Sequence, residues 1–410
     1  MEPQNKTAKK TSCLGYFDNP VIVELVSGSF GDDDQSLRIF NTFLAGETPE
    51  DPDNVLPFAK RYPFMKRFAD PRLAALKGRF SVVKWLVPLV DVIGCEYLGT
   101  EIIRKAAEGG HLEILRWLGE NGCSWDSQTC CLAAENGHLH CLKFLARRDY
   151  KCFLDKYGSD ICVAAARKGH LDCIKWADEN GCKWYYRTVC AAAAYGGQLE
   201  CLKWALGQEP RGKFGITYDR DAEICHSAAE GGSLECLQFA RESGCYWDQG
   251  TCYILVSKGH LECLKWACEN GCPWEDYTWS LAALHGHIHC LEWARDKGYP
   301  WDRATCKYAA KGGHLHCLKW ARENGCVWNE MTCAYAAENG QLECLKWAHE
   351  NGCPWNEMTC AYAARNGHLE CLKWARENGC PWDEYTCSSA ATNGHQECLQ
   401  WARDNGCPEN

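Results

Sequence analysis

The sequence predicts an all-α solenoid of helix–turn–helix repeats, with about twelve units in 410 residues. Three observations carry this prediction: one phrase recurs along the chain, its later copies begin 27 residues apart, and each copy holds two helix-length apolar patterns. The clearest copy, GQLECLKWAHENGCPW, runs from Gly340 to Trp355. Self-similarity at a fixed period is typical of a solenoid, in which each unit buries its apolar face against its neighbours.

An anchor glycine marks each copy and gives the register of the array. Eleven copies follow one another, and a degenerate twelfth copy around Gly78 precedes them. The irregular spacings all lie in the first half, where we expect the extra residues to form loops. The array is therefore predicted to span residues 71–410. The anchors are Gly110, Gly137, Gly169, Gly197, Gly232, Gly259, Gly286, Gly313, Gly340, Gly367 and Gly394.

Each unit contains signals for two helices. Asn356 precedes a helix-forming run, where its side chain can accept hydrogen bonds from the first free backbone N–H groups. The pair Asn366-Gly367 suits the left-handed turn that ends a helix, and a second helix is predicted from Leu369 to about Asn378. The same N-cap place holds Asp126, Asp248, Asp302, Asn329 and Asp383 in other units.

Helical periodicity assigns the faces of both helices. Small residues form one stripe on the first helix, which favours close stacking, and Leu, Cys and Ala form the core side of the second helix. Trp374 recurs in ten units and the loop residue Trp382 in eight, which predicts structural ladders of buried aromatic area. The core residues in one unit are Cys360, Ala363, Ala364, Leu369, Cys371, Leu372 and Ala375.

These residues resemble ankyrin repeats. The run AARNGHLECLKWARENG, from Ala363 to Gly379, is similar to the family's helix–turn–helix core, and the match recurs over about residues 70–407. The family's usual period is about 33 residues, so about six residues are missing from the loop after Trp382, where the family's β-hairpin finger would project. The resemblance implies an ankyrin-type repeat solenoid with shortened or missing fingers, like the Cys- and Trp-rich arrays of protists and large DNA viruses. It also implies protein partners on the concave face lined by the first helices.

Aromatic and Met side chains occupy the predicted outward face of the first helices. A solvent-exposed face is normally polar, so large apolar side chains there indicate an interaction surface. The alternative is that they pack sideways between adjacent first helices and cover gaps left by the missing fingers. The predicted protein-binding residues are Tyr277, Leu281, Tyr308, Met331, Tyr335, Met358, Tyr362 and Tyr385.

The chain contains 32 cysteines, of which 27 occupy three repeat columns: seven before, four after and thirteen after the anchor glycine. Unpaired cysteine behaves as a small buried hydrophobe, so we expect packing in a reducing compartment, the cytoplasm or alternatively the nucleus. Stacked helices lie about 8–10 Å apart, which argues against disulfides between them. A metal or redox buffer is the alternative, although the chain lacks Cys-x-x-Cys.

We predict no cofactor, no metal site and no enzyme activity, because residues copied in every unit seldom form an active site. Eight of 14 histidines follow an anchor glycine, where we expect them to hydrogen-bond around the inter-helix turn. His138 and His140 point to different faces of a helix and do not readily share one ion with Cys141.

The run from Gly207 to Phe214 begins like a phosphate-binding loop, but Phe214 replaces the magnesium-binding hydroxyl and no strand precedes it, so an exposed loop is expected.

The charge balance and hydropathy restrict the partners. The net charge is −10, from 44 basic and 54 acidic residues, which argues against a general binder of nucleic-acid backbones. No apolar stretch reaches 18 residues, so no membrane span is expected. We therefore expect protein partners, no nucleic acid, no membrane and a monomer.

Residues 1–70 do not follow the period. They are predicted to form either a helical cap or a segment faintly similar to an F-box, without the family's Leu-Pro opening and Trp. The sequence thus leads to three functional hypotheses: a non-enzymatic protein-binding scaffold, an F-box-like substrate adaptor for a ubiquitin ligase, and a cysteine-rich metal or redox buffer. The first fits the repeat pattern best.

Overall fold

The computed structural model describes residues 71–80, 83–84, 96–146, 150–208, 222–274, 277–299 and 304–408. Within these ranges the chain forms 23 α-helices and no strands. The predicted all-α repeat architecture is therefore confirmed. The predicted cap or F-box-like segment at 1–70, and most of the insertion after Gly207, lie outside the described residues.

The chain divides into two compact units, Met1–Val189 and Cys190–Asn410. In the first unit α2, α4 and α6 pack in series, and α1 packs on α2. Its helices are α1 (Pro71–Leu76), α2 (Glu96–Glu108), α3 (Leu112–Glu120), α4 (Ser127–Glu135), α5 (Leu139–Leu145), α6 (Tyr150–Lys168) and α7 (Leu171–Glu179). The helix α8 (Tyr186–Tyr195) crosses the boundary between the units.

The second unit stacks the regular repeats, and each of its first helices packs on the first helices of the adjacent repeats. The first helices are α10 (Ala222–Gly231), α12 (Gln249–Lys258), α14 (Thr278–Leu284), α16 (Thr305–Gly312), α18 (Glu330–Glu338), α20 (Glu357–Arg365) and α22 (Glu384–Thr392). The second helices are α9 (Leu199–Gly207), α11 (Leu234–Glu242), α13 (Leu261–Glu269), α15 (Ile288–Asp296), α17 (Leu315–Glu323), α19 (Leu342–Glu350), α21 (Leu369–Glu377) and α23 (Gln396–Asp404).

The helix ends follow the local signals in most repeats. The Asn356 side chain accepts a hydrogen bond from the Met358 N–H (3.2 Å), and Gly367 adopts a φ of 76°, which only glycine takes without strain. Asp126 and Asp383 also cap their helices as predicted.

The N-cap prediction was wrong at two positions. Asp248 and Asn329 stand before their helices, but their side chains make no capping hydrogen bond. At Asp248 the physical reason is a competing partner, because its carboxylate pairs with His226 Nε2 at 2.7 Å. The predicted cap Asp302 lies outside the described residues.

Small side chains let the first helices approach closely. The predicted stripe of Cys360, Ala363 and Ala364 is fully buried, and Leu372 and Ala375 are buried on the second helix. A Cβ atom added at Gly312 would lie 2.1 Å from the Leu284 carbonyl oxygen of the preceding repeat. The loop at 353–356 joins α19 to α20 without a strand, as expected for a repeat that lacks its finger.

Candidate protein-binding face

The first helices of the second unit present the predicted binding residues on the side away from the Cys-Ala-Ala stripe. We call the set Tyr277, Leu281, Tyr308, Met331, Tyr335, Met358, Tyr362 and Tyr385 the aromatic stripe. Its ends are the most exposed: Tyr277 is 43% and Tyr385 51% accessible. The other six side chains are half-buried. The aromatic stripe is therefore accessible in the second unit, without being a row of freely projecting rings.

Neighbouring rings of the aromatic stripe contact each other between repeats. Tyr308 and Tyr335 stack with their ring centroids 6.5 Å apart and an interplanar angle of 17°. Burial raises the pKa of the Tyr362 phenol, and the nearby Glu338, Tyr335 and Tyr385 raise it further because they disfavour the phenolate. The Tyr362 phenol is thus a neutral group that can donate and accept hydrogen bonds at neutral pH.

Lysine side chains lie over two of these rings. Lys307 Nζ is 5.4 Å from the Tyr308 ring centroid and 5.7 Å from that of Tyr335. Lys311 Nζ approaches Tyr335 to 5.4 Å. Cation–π attraction at such distances contributes about 0.5–1 kcal/mol at exposed sites. These lysines give the aromatic stripe positive charge beside its apolar area.

One residue of this face was missed by the sequence analysis. Tyr253 is 42% exposed, and its ring lies 6.3 Å from that of Tyr277. Tyr253 stands six residues before its anchor glycine, whereas the predicted binding residues all stand nine or five residues before theirs. A search for any aromatic residue on the outward half of α12 would have found it.

The outward face of the second helices has a different character. Ion pairs one turn apart recur there, including Glu343 with Lys346 (3.2 Å) and Glu370 with Lys373 (3.1 Å). The glutamates are exposed and the lysines half-buried, and such pairs contribute little to stability. Aromatic residues on the first-helix face therefore contrast with charged residues on the second-helix face.

The histidines after the anchor glycines connect repeats. His138 Nε2 donates to the Glu108 carbonyl oxygen at 3.0 Å, and His287 Nε2 donates to the Ser257 carbonyl oxygen at 3.0 Å. Each carbonyl belongs to the first helix of the preceding repeat. The rings therefore bond at an inter-helix turn, but at that of the preceding repeat, because each ring reaches back across the repeat interface. Among the described residues no group of three or more His, Cys, Asp or Glu is placed to hold a metal ion.

The three cysteine columns are almost entirely buried, and the described cysteines are free thiols. Burial raises the pKa of Cys344 to about 12, which suppresses the reactive thiolate. Thiols of two columns nevertheless come close, because those of Cys360 and Cys380 interact within one repeat. Cys380 lies in the loop after α21, where its thiol also donates to the Asn356 carbonyl oxygen at 3.3 Å. The loop thus places the thiols of two columns close together, although the two helices alone would hold them apart.

Comparison with known proteins identifies the repeats. Residues 106–188 match a family model described as ankyrin repeats (3 copies), and residues 333–384 match one described as ankyrin repeats (many copies). A search of curated proteins found no match. None of the described helices is long and apolar enough to cross a membrane.

Solved structures give distant likenesses only. The human ASB11 ankyrin repeat domain is 17% identical with a TM-score of 0.30, over 54% of this chain and 99% of that one. The pentatricopeptide repeat protein PPR10 from maize is 14% identical with a TM-score of 0.34, over 96% of this chain and 67% of that one. PPR10 in complex with an 18-nt RNA element is 11% identical with a TM-score of 0.36, over 97% of this chain and 66% of that one. These likenesses are too distant to indicate a function. The family matches show ankyrin repeats at residues 106–188 and 333–384, and helix–turn–helix repeats recur in both units.

Proposed function

We propose that this protein is a non-enzymatic interaction scaffold that binds protein partners through the aromatic stripe. Ankyrin repeats generally mediate protein–protein interaction. The observation that carries the proposal is the contrast between the two helix faces of the second unit. The first-helix face presents tyrosine and methionine, and the second-helix face presents solvated ion pairs.

The chemistry of the aromatic stripe suits a protein surface. Tyrosine combines a large apolar area with a hydroxyl group, and it is enriched among residues that dominate binding energy. Methionine adapts its shape to the surface it meets. The stacking of Tyr308 on Tyr335 holds both rings in place, so a partner would meet a preorganised surface. Lys307 and Lys311 would favour a partner that carries acidic groups near its apolar contact.

The test is a triple substitution of Tyr308, Tyr335 and Tyr362 by serine. We expect the partner to bind at least roughly a hundredfold more weakly, because truncating a central contact residue costs on the order of 1 kcal/mol or more. Proteins captured from source-cell extract by the wild-type chain identify the partner, and titration with that purified partner gives the affinity. Far-UV circular dichroism of the variant is expected to show unchanged helix content.

The matched control removes charge from the opposite face by replacing Lys346 and Lys373 with serine. This control is expected to bind the partner as the wild type does. A triple variant that binds normally would reject the proposal. A triple variant that loses helix signal in proportion to binding would assign these tyrosines to packing between repeats.

We further propose a monomer in a reducing compartment, either the cytoplasm or the nucleus, with no nucleic-acid or membrane partner. The free thiols of the cysteine columns and the net charge of −10 support this part of the proposal. Sedimentation and imaging of a tagged chain in source cells test it. A stable dimer or a secreted chain would contradict it.

A further inference from the structure

Cys268 is a cysteine that the repeat pattern does not account for. It lies near the end of α13, nine residues after the anchor Gly259, outside the three cysteine columns. Other repeats carry arginine or histidine at this place, as at Arg322, His349 and Arg376. Cys268 is partly exposed, whereas almost all described column cysteines are buried.

Two other thiols lie beside Cys268. Its Sγ atom is 3.9 Å from Sγ of Cys252, which is buried on α12 in the same repeat. Cys252 also hydrogen-bonds with the thiol of Cys272. Cys272 in turn donates to the Asp248 carbonyl oxygen at 3.5 Å. A partly exposed thiol is therefore connected to a buried pair.

The following repeat supplies a hydroxyl to this cluster. Tyr299 interacts with the Cys268 thiol, and its ring stacks on Trp274 with centroids 4.5 Å apart. Tyr299 stands thirteen residues after its anchor glycine, where most units have cysteine. Burial raises its pKa to about 12, so it keeps its proton and can donate to a thiolate.

The neutral thiol of Cys252 and phenol of Tyr299 favour the Cys268 thiolate. Interaction with Cys252 and then with Tyr299 lowers the pKa of Cys268 below its ordinary value, against the opposing effects of burial and Glu269. Cys131 offers a contrast within the same chain, since it is also partly exposed. Burial and the nearby carboxylates of Asp160, Asp126 and Glu135 raise the pKa of Cys131 to about 12.

We propose that Cys268 is a peroxide-reactive thiol and that Cys252 is its resolving partner, which together form a reversible oxidation site. A reactive sensor thiol is accessible, ionises readily and has a second thiol in reach. The structure gives Cys268 partial access to solvent and a second thiol 3.9 Å away, and the interaction with Cys252 favours its ionisation. The inference does not depend on the proposed protein-binding function.

The oxidant is a hydroperoxide such as hydrogen peroxide. The Cys268 thiolate attacks one peroxide oxygen, so an S–O bond forms, the O–O bond breaks and hydroxide leaves to become water. Cys252 then attacks the Cys268 sulfur, an S–S bond forms and the sulfenic oxygen leaves as a second water. Two thiols lose two electrons and two protons, and the peroxide is reduced to two waters. A small dithiol reverses the reaction, and exchange with Cys272 gives a disulfide that still contains Cys252.

The test treats the full native chain with hydrogen peroxide in the presence of dimedone, alkylates the remaining thiols and maps the peptides by mass spectrometry. The wild type is expected to form a disulfide that contains Cys252. Cys252→Ser, and Cys252→Ala as a second variant, are expected to leave a dimedone adduct on Cys268, and Cys268→Ser removes both products. Cys268 is expected to react roughly tenfold or more faster than Cys131, because the thiolate is the reactive form.

Two further variants test whether Cys268 reacts because of its neighbouring groups or only because it is exposed. Tyr299→Phe is expected to raise the pH at which Cys268 is half-alkylated by iodoacetamide, as a positioning role requires. Cys131→Ser is expected to leave the disulfide yield unchanged. Oxidation of Cys131 as fast as Cys268 would overturn the proposal. So would a wild-type chain that accumulates the dimedone adduct without a disulfide, or a Cys268→Ser variant that still forms the disulfide.

Discussion

At the scale of single residues, a column of buried threonines stands eight residues before the anchor glycines. The Thr129 hydroxyl accepts from the Asp126 N–H at 3.4 Å, which completes a capping box, and it donates to the Asp126 carboxylate at 2.9 Å. The Thr359 hydroxyl is fully buried and has no hydrogen-bond partner. A buried hydroxyl without a partner costs about 1–3 kcal/mol. One residue type in one column therefore has opposite energetic consequences in different repeats.

This difference predicts opposite effects of the same substitution. Thr359→Val removes an unpaired hydroxyl and should raise the midpoint of urea unfolding, by about 1 kcal/mol in the free energy of unfolding of its region. Thr129→Val should lower it by about the same amount, because the hydroxyl's two hydrogen bonds with Asp126 are lost. Denaturation followed by circular dichroism measures both. If Thr359→Val were as destabilising as Thr129→Val, the hydroxyl of Thr359 would have a partner after all.

At the scale of secondary-structure elements, the histidines after the anchor glycines connect the second helix of their repeat to the first helix of the repeat before it. The ring of His314 hydrogen-bonds with the Leu284 carbonyl and lies so close to Gly286 that a Cβ atom there would be 2.5 Å from Nδ1. Gln341 fills the same place over Gly313 without a titratable group. The chain itself therefore shows that an amide can replace the imidazole.

We predict that protonation of the histidines between repeats lowers the stability of the fold in acid. Burial, followed by the positive charge of His316, lowers the pKa of His314 below its usual value of 6.5. A lowered folded-state pKa means that the neutral ring stabilises the fold, so this contribution is full above about pH 6.5 and is lost as the pH falls towards the folded pKa. Thermal unfolding of the wild type should thus begin at a lower temperature at pH 5.5 than at pH 7.5.

The matched variant for this prediction is His314→Gln, which imitates Gln341. The substitution should reduce the difference between the two pH values, while Gln341→His should increase it. An unchanged difference in both variants would show that other groups control the acid response.

At the scale of the whole molecule, the regular repeats of the second unit contact only their neighbours in the stack. Stability in such an array depends on the interfaces on either side of a repeat. Local opening of one repeat should therefore affect mainly the repeats on either side of it.

Amide hydrogen exchange tests this expectation. We expect Ala363→Gly in α20 to speed backbone exchange roughly fivefold in its own repeat and in the two adjacent repeats, because glycine in a helix costs about 1 kcal/mol. The amides of α12 should exchange as in the wild type. Equal acceleration in α12 would mean that the second unit opens as one cooperative body.

Sequence periodicity was sufficient to predict the helix bounds and the core around Cys360 and Ala363, because a repeated pattern fixes which side of a helix is buried. It did not predict the contact between Cys252 and Cys268 or the pairing of Asp248 with His226. Those contacts depend on how two helices are rotated against each other and on how a loop folds back. Tyr253 and Cys268 stand outside the repeat columns, so the repeat pattern did not predict a role for either residue.

The most direct test of protein binding through the aromatic stripe is site-specific photo-crosslinking. A photoreactive phenylalanine derivative is placed at Tyr335 in one full-length chain and at Lys346, on the opposite face, in another. Both chains are mixed with the partner captured by the wild type and then illuminated. We predict a covalent adduct with the partner from position 335 and little or none from position 346. Adducts from position 346 that equal or exceed those from position 335 would contradict the account.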